Sequence, residues 1–168
     1  MSTITSTTVP ARVSTGALVR GAVGGLVAGV LFAVATMWFV TSIHQPAKMP
    51  LLMISTIVLG DDAMAGGDAD EGIGLAVHMV LSMAFGVVFA FAASRLRTNG
   101  AVMLAGLLYG ALLYLVNFQI LARVAFTTFK MANQPFELLV HIVFGALLAL
   151  AFYSSGVRRG EPLLGGTR

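Results

Sequence analysis

Charged side chains in this sequence are gathered into short segments separated by long apolar runs. Leaving His aside, residues 21–47, 72–94, 98–122 and 138–157 contain none, giving runs of 27, 23, 25 and 20 residues. A helix rises 1.5 Å per residue, so about 20 apolar residues cross the roughly 30 Å of bilayer hydrocarbon. The pattern predicts four transmembrane helices, over residues 22–43, 73–94, 101–122 and 136–154. A fifth apolar run, residues 50–60, is too short to span. Pro50 near its start and Gly60 at its end are helix start and stop signals, so it reads as a short interfacial or re-entrant helix in an outer loop of residues 44–71. The expected fold class is an all-α membrane protein with a four-helix transmembrane bundle. Residues 16–157 form that domain, and residues 1–15 and 158–168 read as flexible cytoplasmic tails.

Composition agrees. Hydrophobic residues make up 58% of the chain and charged ones 10%, against about 25% charged in soluble domains. The mean hydropathy is +0.92. The remaining charges orient the bundle. Arg12, Arg20, Arg95, Arg97, Arg158, Arg159 and Arg168 fall on the side that holds both termini. The opposite side holds Lys48, Arg123 and Lys130, together with Asp61, Asp62, Asp68, Asp70, Glu71 and Glu137. Seven basic residues against three is a positive-inside bias, so both termini are expected in the cytoplasm and the protein in a bacterial inner membrane. The first apolar run is too long for a signal peptide and reads as a retained helix. The net charge of +3 comes from basic residues standing singly or in pairs between spans, which fits topology rather than nucleic acid.

Two segments repeat. Leu75, Val77, His78 and Val80 precede Phe85-Gly86, and Leu138, Val140, His141 and Val143 precede Phe144-Gly145. Gly21, Gly25 and Gly29 in the first span, and Gly106 and Gly110 in the third, are spaced four apart, the pattern that lets helices approach closely in lipid. The chain therefore reads as two tandem helical hairpins in the same orientation.

The repeat sets both histidines at similar depth in the outer half of the bundle. Thr36, Ser82, Asn117 and Gln119 fall nearby. A polar group left unpaired in hydrocarbon is costly, so these six side chains are expected to face inward as one polar layer. Three uses of the layer stay open: helix-register hydrogen bonds, ligation of a b-type haem or metal by His78 and His141, and a path for a proton or substrate. Met37, Met79 and Met83 offer either packing or soft metal ligands. Arg123 and Lys130, flanking an apolar outer segment, are candidates for lipid headgroup or partner contact.

Enzymatic chemistry finds no footing. The chain has no Cys, no Gly-rich phosphate loop, no serine elbow and no HExxH motif. No catalytic residues or resident metal are expected. The pattern of residues 25–38, 50–60, 78–86 and 141–145 resembles a family of small bacterial four-helix inner-membrane proteins of unassigned function. That resemblance implies the four-helix fold and carries over no functional residue. The expected role is a non-enzymatic accessory subunit of a larger inner-membrane complex, with a lipid-transport assembly of the mammalian-cell-entry type as host. Its expected partners are membrane lipids and other integral membrane subunits, with no nucleic acid and no soluble substrate. Two alternatives stand beside it: a haem- or metal-binding membrane protein of an electron-transfer complex using His78 and His141, and a small channel or carrier.

Overall fold

A computed structural model describes residues 13–158 of the chain. Among the described residues four helices are long and apolar enough to cross a membrane: Thr15–Ser42, Glu71–Ala93, Asn99–Val124 and Gln134–Ala151. The first is α1. It starts at Thr15 rather than at residue 22, because Ser14 caps it by accepting from the Ala17 amide at 3.2 Å. Arg20 does not end the helix: its guanidinium reaches along the bundle to the Ala151 carbonyl at 3.1 Å. Long cationic side chains escape hydrocarbon in this way.

The loop between the first two spans holds α2, Met49–Leu59, and the single turn α3, Ala63–Gly66. Pro50 sits in the first turn of α2, where its missing N–H costs nothing. Gly60 ends the helix at a φ of 90°, a conformation that glycine adopts freely. α2 lies against the start of α4, Glu71–Ala93, which Asp70 caps through the Ile73 amide at 2.8 Å. There the Leu51 carbonyl occupies the space that a side chain at residue 74 would need, and Gly74 leaves it open.

The third span is composite. α5, Asn99–Tyr114, is capped by Thr98. It passes into a π-helical stretch, Leu115–Leu121, and then into the short α6, Ala122–Val124. A 3-10 turn, Thr127–Met131, leads to α7, Gln134–Ala151, capped by Asn133. Wide π turns are rare and tend to occur at functional sites.

α1 packs along α4 and α5 along α7, forming two hairpins joined chiefly through α1 and α7. Glycines set both seams. A Cβ at Gly86 would collide with the Gly21 carbonyl, and one at Gly145 with the Gly106 carbonyl. Gly25 meets the Ser82 carbonyl, Gly29 the Ser82 side chain, and Gly110 the His141 carbonyl. The core occupies the centre and the terminal half of the bundle. There Ala28, Phe89, Ala90, Ala93, Val102, Leu113, Phe144, Leu148, Ala149 and Phe152 pack together. Val23, Val30, Val34, Val88, Leu104, Leu108 and Val143 point outward, as lipid-facing positions should.

Arg158 departs from the flexible-tail expectation. It is 3% exposed, and its guanidinium bonds the Phe152, Ala93 and Leu96 carbonyls at the C-terminal ends of α7 and α4. Those carbonyls have no partners within their helices, and a cation there also complements the helix dipole. The other tail residues assigned from sequence, 1–12 and 159–168, lie outside the described residues.

Candidate functional site

Toward the loop face the two hairpins part around a cavity of about 830 Å³. Its walls come from α1 (Phe32, Thr36, Phe39), α4 (His78, Leu81, Ser82, Phe85), the third span (Leu113, Val116, Asn117, Phe118) and α7 (Glu137, His141, Phe144). Pro50, Met53, Ile54 and Ile57 of α2 and Phe126, Phe129 and Met131 of the loop between the third and fourth spans close it from the loop side. The lining methionines are Met49 and Met53 of α2 and Met131 of the 3-10 turn; Met37, Met79 and Met83 are not among them. Tyr109 ties α5 to α4 below the cavity, donating to the Phe85 carbonyl at 2.9 Å. Phe39 and Phe136 stack at 3.9 Å between α1 and α7.

Two loops distant in sequence join across the loop face. The Asp61 carboxylate accepts from the Thr127 amide at 2.7 Å, the Thr127 hydroxyl at 2.6 Å and the Thr128 hydroxyl at 3.1 Å. The Thr127 hydroxyl is the largest of the influences that hold the Asp61 carboxyl below its ordinary value, against an opposing effect of burial.

Of the six predicted polar-layer residues, the structure brings Thr36, His78, Ser82, Asn117 and His141 to the cavity. Gln119 lies elsewhere. Its amide donates to the Tyr114 hydroxyl at 2.7 Å and to Gln134 at 3.3 Å, and its oxygen accepts from Arg123 at 2.7 Å. Residues two apart point to opposite sides of a helix, so with Asn117 on the cavity wall Gln119 faces away from it. Arg123 is held by this outer cluster, and Lys130 is exposed on the 3-10 turn.

Both imidazoles have fixed tautomers, because a backbone carbonyl can only accept. His78 Nε2–H donates to the Gly29 carbonyl at 2.9 Å, leaving Nδ1 as an acceptor. His141 Nδ1–H donates to the Glu137 carbonyl at 2.7 Å, leaving Nε2. Phe32 packs against both rings, with centroids 5.6 and 4.9 Å away. Among the described residues no three of His, Cys, Asp and Glu gather as metal ligands would.

The residue that spacing misplaces is Glu137. The charge pattern counts it with the acids of the loop side, although it falls at the very start of the predicted span 136–154, and gives it no place in the polar layer. The structure corrects the omission. Glu137 stands in the first turn of α7, is 7% exposed and lines the cavity. The signal was available in the register of the repeat. Matching the two histidines misaligns the hairpins by one turn. Matching the packed glycines, Gly86 on Gly21 and Gly145 on Gly106, sets His141 opposite Ser82 and Glu137 opposite His78. At the next turn Gly29 lets His78 reach a backbone carbonyl, whereas Tyr114 fills the matching place in the other hairpin. Glu137 is thereby left facing the cavity.

Comparison of the chain with protein-family models, with curated proteins and with solved structures finds no match.

Proposed function

We propose that this chain is a non-enzymatic subunit of a bacterial inner membrane that holds one lipid-like molecule in the cavity beneath α2, as an accessory to a larger lipid-transport assembly. The observation that carries the reading is the cavity itself. Its volume of about 830 Å³ falls within the roughly 300–1,000 Å³ of small-molecule sites. Packing defects in membrane bundles are far smaller than this. Its walls are mostly Phe, Leu, Ile and Met, with a minority of polar side chains: Thr36, Gln45, His78, Ser82, Asn117, Asn133, Glu137 and His141. That division suits an amphiphile with one polar end. The exposed apolar flanks of the spans offer surfaces for lipid and for neighbouring subunits. Placement of both termini in the cytoplasm rests on the seven-to-three distribution of basic residues.

The test is purification of the tagged chain from its own membrane in mild detergent, followed by mass spectrometry of the extract. One amphiphile at a stoichiometric level, enriched over bulk lipid, together with a co-purifying membrane partner is expected. A chain that emerges alone, carrying lipid of bulk composition, overturns the reading. Orientation is read separately. A fluorescent protein fused to the C-terminus should fluoresce, and a Met131→Cys variant should react with an impermeant maleimide from outside, since the chain has no other Cys.

A further inference from the structure

The cavity wall carries one acid and no permanently charged base. Neither Lys nor Arg is among the lining residues, and Glu137 is the sole carboxylate there. Glu137 is more than nine-tenths buried, yet among the described residues no hydrogen bond reaches its carboxylate. The His141 Nδ1 stands 3.9 Å from Oε2, and its proton goes to the Glu137 backbone oxygen instead. The position in the first turn of α7 favours the anion, because the N-terminal end of a helix is electropositive. A first-turn acid that served only the helix dipole would do so equally well from water. Burial against an apolar cavity adds a cost that such a role does not require.

Three of the other polar side chains facing the cavity point the same way, while Gln45, Ser82, Asn117 and Asn133 add neutral groups that can both donate and accept. His78 and Thr36 have given their protons to the Gly29 and Phe32 carbonyls, and His141 has given its own to Glu137. What remains at the two imidazoles is a pair of acceptor nitrogens. A carboxylate or phosphate head would meet a like charge and few donors. A cationic head would meet a counter-ion, acceptors and the faces of Phe32, Phe118 and Phe129, which attract positive charge in a desolvated setting.

We propose that the cavity selects a lipophilic amine or ammonium ion, with the Glu137 carboxylate pairing with its head and the aromatic walls enclosing its apolar part. This specificity rests on the cavity reading above and narrows it to one ligand class. The test uses the full chain in lipid nanodiscs with two probes of equal tail length, decyltrimethylammonium and decanol. Saturable one-to-one binding of the cation is expected. Glu137→Gln should weaken it at least about tenfold, the scale of losing a buried counter-ion. Glu137→Asp should retain part of the affinity, and decanol binding should change less than about twofold in Glu137→Gln, which also reports that the cavity is intact. Equal cation affinity in the wild type and Glu137→Gln overturns the proposal. Decanol binding without cation binding overturns it too, while leaving the cavity reading standing. If neither probe binds the wild type, both readings fall.

Discussion

The Glu137 carboxylate and the His141 imidazole lie one helical turn apart with 3.9 Å between Oε2 and Nδ1, and yet they are not bonded to each other. The imidazole proton is directed at the Glu137 backbone at 2.7 Å. Ser and Thr commonly bond the carbonyl four residues back along a helix, and His141 does the same. The result keeps both side chains on the cavity wall, where among the described residues no hydrogen bond is made by His141 Nε2 or by the Glu137 carboxylate. A pair arranged for stability alone would close on itself, since a buried charge without a partner is expensive.

Occupying the cavity with protein should expel its ligand. Val116 lines the wall from the π-helical stretch and is only partly buried. Val116→Trp places an indole in open volume, so overpacking costs of about 1–3 kcal/mol are largely avoided. The melting temperature should stay near that of the wild type, while co-purified amphiphile falls by more than half. Mass spectrometry of extracts from the two proteins, prepared side by side, reads the difference. Undiminished ligand would place the binding site outside this cavity.

Asp61 should act as a clasp between the two loops of the loop face, which are 66 residues apart in sequence at this point. Bonds from Thr127 and Thr128 favour its carboxylate over its acid form and lower its pKa from 3.8. A depressed carboxyl pKa gives a contribution that is complete above 3.8 and disappears as pH falls through the lower, folded-state value. Spin labels on a Val58→Cys, Met131→Cys pair report the loop separation. At neutral pH one narrow distance is expected, and it should broaden in strong acid. Asp61→Asn should broaden it at every pH. A narrow distance in that variant would show that the roof is held by packing instead.

Much of this architecture was written in the distribution of charge. Four apolar runs and a Pro–Gly bracketed segment correspond to four spans and α2, because a bilayer leaves the backbone few choices. Helix ends were less legible: Arg20 lies inside α1 since a flexible side chain can carry its charge to a carbonyl. The site was legible in part. His78 and His141 advertise themselves in an apolar background, but Glu137 sits beside loop charges and its burial is decided by packing register. That register depends on backbone contacts of Gly21 with Gly86 and of Gly106 with Gly145. The divergence of Asn117 and Gln119 was legible too, since a 3.6-residue period already sets residues two apart on opposite sides; grouping them by depth alone overlooked it.

The glycine seams should be intolerant of a single methyl group. Gly86→Ala drives a Cβ into the Gly21 backbone, where no side-chain rotation relieves it. Separation of α1 from α4 should cost about 1–3 kcal/mol. Gly100→Ala, where no heavy atom lies within 4 Å of the added carbon, should leave stability unchanged or raise it by up to about 1 kcal/mol. Thermal unfolding followed by circular dichroism in one detergent compares the two. Equal melting of Gly86→Ala and the wild type would mean that the hairpin seam is looser than its geometry.

At the opposite end, Arg158 should hold the bundle together without touching ligand. Its Nη1 bonds the Ala93 carbonyl at 2.9 Å and also that of Leu96, while Nε and Nη2 bond the Phe152 carbonyl at 3.3 and 3.1 Å. One planar fork thus fastens the ends of α4 and α7. Arg158→Ala leaves helix-terminal carbonyls without these donors and should cost about 2–4 kcal/mol. Arg158→Lys should recover little, since a point charge on a flexible stem cannot address both ends at once. The cavity lies toward the other face, and distant sites act independently. Cation and decanol affinities should therefore stay within about twofold of the wild type in both variants. If Arg158→Ala melts like the wild type, the fork adds nothing to the fold. If it alters affinity as much as stability, the two ends of the bundle are coupled rather than independent.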